Sequence, residues 1–390
     1  MIIKQLLKEL CPNGVEWKPL GEVCNILDSL RKPVSKSDRT RGQYPYYGAN
    51  GVQDYVDDYL FDGTYLLVGE DGSVINPDKS PVVHWAQGKI WVNNHAHILS
   101  EIPEIASLRY LFFTLQTVDV SDIVRGVPPK LNQENLKRIR IPLPPLSIQI
   151  RIVEILDHFT DIIANLKTEL NLRRKQLAHY LDVYFGVNEE DMNKIAKAKG
   201  IEIKQLQDLG TLTRGRRFVR DDIRIEGVPC IHYGDMYTTY GIAENATITF
   251  LDEEKANKLR FAEPNDVVIV GAGENDWDIG VGLAWLGSDK VVVHDACYIY
   301  KHNMEPKFVA YYLRSNNYHL QIRKWVSSGK ISAISDKDLG KAKLPHYPID
   351  TQKSIVSALD KFTALISNIE EEIKLRQKQY EYYREQLLTF

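Results

Sequence analysis

Two stretches of the chain place hydrophobic residues at alternating steps of three and four. In the first they fall at Ile152, Leu156, Phe159, Ile163, Leu166 and Leu170, then at Leu177 and Tyr180. In the second they fall at Ile355, Leu359, Phe362, Ile366, Ile369 and Ile373, then at Tyr380 and Tyr383. This spacing keeps one apolar stripe on one helix face and suits the seam of a coiled coil. Each stretch follows a breaker-rich run, IPLPPLSIQ or LPHYPIDTQ, whose prolines forbid a helix and fix where it starts. A helix of about 36 residues at 1.5 Å per residue is ~54 Å long. Pairing two such helices antiparallel would hold whatever precedes each at opposite ends of a rod.

The two stretches are copies. Sliding the chain by 203 positions lays LDHFTDIIANLKTELNLRRKQLAHY over LDKFTALISNIEEEIKLRQKQYEYY without a gap. Gly126, Leu136, Pro142, Pro145, Gln149, Asp157, Phe159, Asn165, Glu169, Arg173, Gln176 and Tyr180 each meet the same residue. Arg173 and its mate Arg376 interrupt both seams at the same level. A solenoid repeats every ~20–50 residues, so this spacing indicates a duplicated module instead.

Between the helices the pattern changes to short strands. Each segment opens with a short apolar stretch, Leu20 to Ile26 and Leu206 to Leu212. Each then has a β-rich run ending in glycine, TYLLVGEDG and DVVIVGAGE, and an alanine flanked by strand residues, VNNHAHIL and VHDACYIY. Each closes on an aromatic helix, LRYLFFTLQ or FVAYYLRSN. The expected fold is α+β: two globular mixed α/β domains separated by two long helices that form an antiparallel coiled coil, related by a pseudo-twofold internal repeat. The expected boundaries are 1–145 for the first domain, 146–186 for the central helix, 187–345 for the second domain and 346–390 for the C-terminal helix.

Composition changes this picture little. At 390 residues, with 44% hydrophobic and 26% charged, the chain is ordinary globular protein. It has no membrane-length apolar run, and MIIKQLLKEL lacks the core and cleavage site of a signal peptide, so a cytoplasmic location is expected. Cys11, Cys24, Cys230 and Cys297 are scattered without metal-ligand spacing and are read as reduced thiols, with no metal site. A net charge of −3 argues weakly against nucleic acid, but the basic residues cluster. One run is Arg31, Lys32, Lys36, Arg39 and Arg41; another is Arg214, Arg216, Arg217, Arg220 and Arg224.

The loops around these runs are dense in Tyr, Asn, Gln, Arg and Gly, residue types that read base edges and approach phosphates. Candidate DNA contacts in the first domain are Arg31, Lys32, Arg41, Tyr46, Tyr47, Asn50, Asn94 and His95. In the second they are Arg214, Arg216, Arg217, Arg220, Tyr233, Asn275 and Trp277. Helix pairing is assigned to Ile152, Leu156, Phe159, Ile163 and Leu166, with Ile355, Leu359, Phe362, Ile366 and Ile369.

No catalytic constellation is found. VGAGEND and GVGLAWLG contain GxG without completing GxGxxG, and Asn76-Pro77-Asp78-Lys79 is not the motif of an amino-methyltransferase. Glu202-Ile203-Lys204 fits half of a nuclease site, but the same spacing recurs at Glu372-Ile373-Lys374 inside a seam. A scaffold presenting protein-binding or RNA-binding domains, and a nuclease using Glu202 and Lys204, remain open on these residues.

Nearly the whole chain resembles specificity subunits of type I restriction-modification systems. The resemblance rests on NGVEWKPLGEV, YPYYGANGVQDYVDDYLFDGTYLLVGEDGS, VNNHAHIL and PPKLNQENLKRIRIPLPPLSIQIRIVEILD, with the later echo LPHYPIDTQKSIVSALD. It implies that 1–145 and 187–345 are target recognition domains, each reading half of a split, asymmetric double-stranded DNA sequence. It implies partners: two modification subunits that carry S-adenosylmethionine and methylate adenine, and restriction subunits that add ATP-driven cleavage with magnesium. This chain would bind no cofactor and catalyse nothing. A ~54 Å rod spans ~16 base pairs, which fits a gap of roughly five to eight between half-sites. The echo replaces KRIRIP with GKAKLP, a weaker basic edge expected to dock partners unequally.

Overall fold

The computed structural model describes residues 6–7, 9–327, 329 and 331–390; the opening of MIIKQLLKEL lies largely outside them. It divides into two compact units, 1–167 with 371–390, and 168–370, so each takes part of both long helices. Among the described residues no helix is long and apolar enough to cross a membrane.

The first unit carries β1 (Glu16–Pro19), β2 (Cys24–Ile26), β3 (Arg41–Gly48), β4 (Gly51–Val56), β5 (Phe61–Gly69), β6 (Val83–Val92), β7 (Ala96–Glu101) and β8 (Arg140–Leu143). Six form one sheet in the order β2-β7-β5-β6-β3-β4, antiparallel except for β3 with β6. Strand β5 explains why its sequence is a continuous apolar run. Leu66 and Val68 face one core, with helix α1 (Leu108–Leu115); Leu67 faces a smaller one, with Ala86, Ile90 and Ile98. A strand covered on both sides loses the alternation of a half-exposed one.

The second unit carries β9 (Glu202–Gln205), β10 (Gly210–Arg214), β11 (Ile223–Arg224), β12 (Val228–Ile231), β13 (Ala243–Glu244), β14 (Thr249–Leu251) and β15 (Phe261–Ala262). It continues with β16 (Val267–Val270), β17 (Ala272–Gly273), β18 (Gly282–Trp285), β19 (Val291–Val293), β20 (Cys297–His302), β21 (Ser332–Ala333) and β22 (Lys343–His346). Two five-stranded sheets result, β10-β20-β16-β18-β13 and β11-β14-β12-β19-β15. The four residues of β16 are all buried.

Each domain is closed by a two-strand clip. In the first, β1 pairs antiparallel with β8; in the second, β9 pairs antiparallel with β22, and β8 and β22 are 203 residues apart. Before β8 stands α2 (Gln133–Arg138), and after it α3 (Leu146–Phe185); α4 (Glu189–Lys199) follows. The second domain contributes α5 (Pro306–Tyr312), α6 (Asn316–Ile322), α7 (Asp336–Gly340) and α8 (Ile349–Leu388).

Both α3 and α8 have 40 residues, longer than the sequence pattern suggested, or about 60 Å each. The prolines place their starts: Gln149 N–H bonds the Pro145 carbonyl at 3.2 Å, and Gln352 N–H bonds that of Pro348 at 3.0 Å. Gly186 ends α3 at φ +80°, where a Cβ would meet the Met192 nitrogen at 2.5 Å.

The packing repeats with the sequence. Gln149 is buried; its Oε1 accepts from Ser107 N–H at 3.0 Å, and its Nε2 donates to the carbonyls of Pro144 (2.8 Å) and Ile105 (3.2 Å). Its mate Gln352, also buried, accepts from Glu305 N–H at 2.9 Å and donates to the Tyr347 carbonyl at 2.7 Å. Asp157 pairs with Arg109 of α1, and its mate Asp360 pairs with Lys307 of α5. Each aromatic helix is thereby fixed to the first turns of a long helix.

Within each unit the long helices run antiparallel. Phe159 stacks on Tyr383 in the first (5.2 Å), and Phe362 stacks on Tyr180 in the second (4.8 Å). The two pairs correspond under the repeat, Phe159 being the mate of Phe362 and Tyr180 that of Tyr383. Ile152 and Leu156 are fully buried in the first domain's core, and Ile355 and Leu359 are buried in the second's. They are thus domain floor as well as seam. Phe159, Ile163, Leu166, Phe362 and Ile366 are only half-buried, while Ile369 is buried. The seam arginines are held inside their own helices: Arg173 by Glu169 and Gln176, Arg376 by Glu372 and Gln379.

Candidate nucleic-acid interface

The first domain builds its candidate face where β7 begins. His97 is buried; Nδ1 meets Asp28 Oδ2 at 2.6 Å, and Nε2 meets the Leu131 carbonyl at 2.7 Å. Burial would raise the Asp28 carboxyl, but the bond and charge of His97, with Arg31 and Gln133, outweigh it and hold Asp28 below its ordinary value. Arg31, expected to contact DNA, belongs to this network. Its guanidinium meets Glu70 at 2.5 Å and the Ala96 carbonyl at 2.9 Å, and Lys130 reaches the other Glu70 oxygen at 3.3 Å. Asp28, Glu70 and His97 gather as metal ligands would, yet protein donors occupy their acceptor atoms. The cluster is an internal ion network that locks the loop before β3 to β7.

Tyr46 is a second correction. It is 1% exposed, its hydroxyl bonds the backbone of Val34, and Arg39 covers its ring at 4.1 Å. Its alternation in β3 points inward, so it supports the loop rather than presenting itself. Tyr47 is half-buried, with its hydroxyl raised by burial and by Tyr55. Lys32, Arg41, Asn50, Asn94 and His95 are exposed. His95 Nδ1 is hydrogen-bonded to Asp71, and Asn93 Oδ1 accepts from His95 N–H at 2.8 Å, which fixes the 93–95 turn. Beside it lies a cleft of about 500 Å³ lined by Asp71, Arg125, Val127, Lys130, Asn132 and Asn135. None of these was a sequence candidate; the signal was RGVPPK, a proline-rich tip between two cations.

The second domain holds a larger cleft, about 1060 Å³. Arg214, Arg217, Arg220 and Tyr233 line it, together with Phe218, His232 and His294, which were not candidates. Four rings make a cluster: His232 lies 4.6 Å from Tyr233, 4.8 Å from His294 and 5.9 Å from Phe218. Backbone contacts set their tautomers. His294 Nδ1 accepts from Ala296 N–H at 3.1 Å, so Nε2 carries the proton it gives to the Phe218 carbonyl at 3.0 Å. Burial lowers both histidines; Asp235 and Asp295 oppose this, while Arg220 beside His232 adds to it. Neutral imidazoles therefore floor a cleft rimmed by arginines, a surface suited to the edges and phosphates of nucleic acid.

The arginines differ. Arg214 Nε donates to the Asp295 carbonyl at 2.7 Å, and Arg216 donates to that of Lys258 at 2.9 Å. Arg217 and Arg220 stand exposed at the rim. Asn275 and Trp277 lie on an exposed turn that does not line the cleft; Trp277 is 61% exposed and stacks with Arg323 at 4.1 Å. Glu202 and Lys204 pair with each other at 3.1 Å on the β9 clip, outside both clefts. Burial pushes the Cys24, Cys230 and Cys297 thiols up, to about 12, 11 and 12, which suits inert core residues.

A duplicated frame, in which each globular domain is fixed through a matching glutamine and aspartate to the start of a long helix, defines a class of chains that carry two unlike domains on one repeated support. The family described as the type I restriction modification DNA specificity domain matches residues 12–172 and 198–375. The chain belongs to that family: it is a DNA specificity subunit of a type I restriction-modification system, itself non-catalytic. It is 34% identical to a Haemophilus influenzae protein described as a type I restriction enzyme specificity subunit, over 99% of this chain and 98% of that one. It is 26% identical to the EcoR124I/EcoR124II specificity subunit of Escherichia coli, over 96% and 94% of the two chains. The crystal structure of an S subunit from M. genitalium has the same fold, with a TM-score of 0.61 at 15% identity and 97% coverage of both chains.

Proposed function

We propose that each domain reads one half of a split, asymmetric DNA target and that α3 and α8 set the distance between the halves. The same helices dock two modification subunits, which bring S-adenosylmethionine; restriction subunits bring ATP and magnesium, and this chain binds no cofactor. The assembly works on chromosomal and incoming DNA in the cytoplasm. The observation that carries this reading is the duplication of the domain-to-helix joint, Gln149 with Asp157 and Gln352 with Asp360. Two corresponding joints at a 203-residue interval on unlike domains suit a frame that presents two different readers in the same way.

The test is a methylome. Coexpression with the modification subunit in an unmethylated host should yield a two-part adenine-methylated motif with a fixed gap, absent without this chain. Complex formation without any motif would reduce the chain to a scaffold and refute the reading.

A further inference from the structure

The second domain's cleft carries a carboxylate that the fold does not use. Strand β12 ends at Ile231, and a tight turn follows: Gly234 N–H donates to His232 Nδ1 at 3.2 Å, and Asp235 N–H to the His232 carbonyl at 3.0 Å. That turn brings His232, Tyr233 and Asp235 together in the lining of the cleft, with Thr249 of the neighbouring strand β14. Asp235 opens a helical turn of four residues, yet its carboxylate caps no backbone N–H among the described residues. Its one partner there is the Thr249 hydroxyl, 3.0 Å from Oδ2. The same hydroxyl lies 2.9 Å from the Cys230 carbonyl, and a single proton cannot serve two acceptors. Asp235 forms no ion pair among the described residues, so a half-buried charge keeps acceptor capacity to spare.

A surface that only held phosphates would gain nothing from this charge. Arg214, Arg217 and Arg220 line the same cleft and draw a polyanion in, whereas Asp235 repels it. The two other carboxylates of the lining are placed differently. Asp295 faces the His294 ring at 3.3 Å, and Glu274 is exposed on the turn after β17. A divalent cation would meet three arginines and is the poorer occupant. A base edge suits an acceptor better: in the major groove only the N4 amino group of cytosine and the N6 amino group of adenine donate. His232 completes the pattern. Its Nδ1 accepts from Gly234, so the neutral ring carries its proton on Nε2, a donor for the acceptor atoms that adjoin such an amino group.

We propose that Asp235 is a specificity-determining residue that accepts a hydrogen bond from the exocyclic amino group of a cytosine or adenine in the half-site read by the second domain. This rests on the DNA-reading function proposed above. The arginines hold the DNA backbone, which carries no sequence information. Asp235 supplies that information, because the keto oxygen of a thymine or guanine at the same place would face a carboxylate and be rejected. Thr249 is the positioning residue, its hydroxyl holding Oδ2 from strand β14.

The experiment uses the full chain assembled with its modification subunit, with motifs mapped for wild type and Asp235→Asn. Asparagine keeps the size of the side chain and an acceptor for the Thr249 hydroxyl, and adds an amide donor. One position, in one half-site only, should relax from cytosine or adenine to admit a keto base, with the gap and the melting temperature unchanged. Binding is measured separately on duplexes whose target cytosines are replaced one at a time by 2-pyrimidinone and adenines by purine, each lacking the amino group. At that same position the wild type should lose affinity roughly tenfold, the scale of a hydrogen bond to a charged group. Asp235→Ala should show no such loss there, and the analogue responsible tells cytosine from adenine. A split wild-type motif left unaltered by Asp235→Asn overturns this inference alone, as does wild-type insensitivity to every analogue or a loss that persists in Asp235→Ala. Relaxation in both half-sites, or failure of Asp235→Asn to assemble, would assign Asp235 to the fold and also overturn it. A wild type with no split motif would overturn the DNA-reading function, and this inference with it.

Discussion

Replacing Gln149 with Leu should destabilise the first domain more than Gln352→Leu destabilises the second. The substitution strips partners from Ser107 N–H and from the carbonyls of Ile105 and Pro144, three groups sealed under α1. A buried polar group left without a partner costs ~1–3 kcal/mol, so three give about 3–9 kcal/mol. Gln352→Leu strands two groups, Glu305 N–H and the Tyr347 carbonyl, for about 2–6 kcal/mol by the same count. The apolar gain from leucine, about 1–2 kcal/mol, offsets both alike, so a difference of ~1–3 kcal/mol survives. Urea unfolding of the full chain, with amide exchange followed in α1 and α5, separates the domains. Equal costs, a larger cost for Gln352→Leu, or a cost below ~1 kcal/mol for Gln149→Leu would refute the joint as a hydrogen-bond lock.

Three further outcomes are expected. Arg31→Ala removes one of the cations held by Asp28 and Glu70, which keep His97 and Lys130, and should cost ~1.5–3 kcal/mol in unfolding experiments, with the salt slope of DNA binding unchanged. Arg217→Ala and Arg220→Ala should do the reverse: each flattens the plot of log affinity against log salt by up to ~0.9, and melting stays as in the wild type. Burial pushes the ring of His302 down to about 4, so it is neutral in the fold while an unfolded ring near 6.5 takes up a proton first. Stability is therefore lost as pH falls from about 6.5 towards about 4. His302→Asn keeps an acceptor for Met304 N–H, as His302 Nδ1 now provides at 3.1 Å, and should reduce the loss at pH ~4.5 by roughly 2–3 kcal/mol. Denaturant midpoints across that range measure it.

The frame was legible because it depends on periodicity and duplication, which a linear sequence records directly. Residues 203 apart that match in identity also match in contact: Gln149 with Gln352, Asp157 with Asp360, Phe159 with Phe362. The candidate interface was less legible because an arginine or tyrosine in a loop looks the same whichever way it points. Arg31 turns inward because Glu70, 39 residues later, arrives beside it; Tyr46 does so because Val34 offers its backbone and Arg39 covers its ring. His232 and His294 enter the second cleft from strand ends 62 residues apart, and no local pattern announces their meeting. The helices exceed their apolar stripes because the prolines, not the stripe, decide where they start.

The two clips have an evolutionary consequence. In the first domain Trp17 lies opposite Pro142, and in the second Ile203 lies opposite Pro345, so each domain's chain ends leave side by side in one short ladder. Paired strands sit only ~4.8 Å apart, whatever the size of the body they enclose. A crossover between related genes that falls inside the ladders would exchange everything between them while the two exits stay put. The ladder sequences are therefore the natural seams for recombination, and a lineage can acquire a new address in one genetic event, without passing through a chain of weakened intermediates.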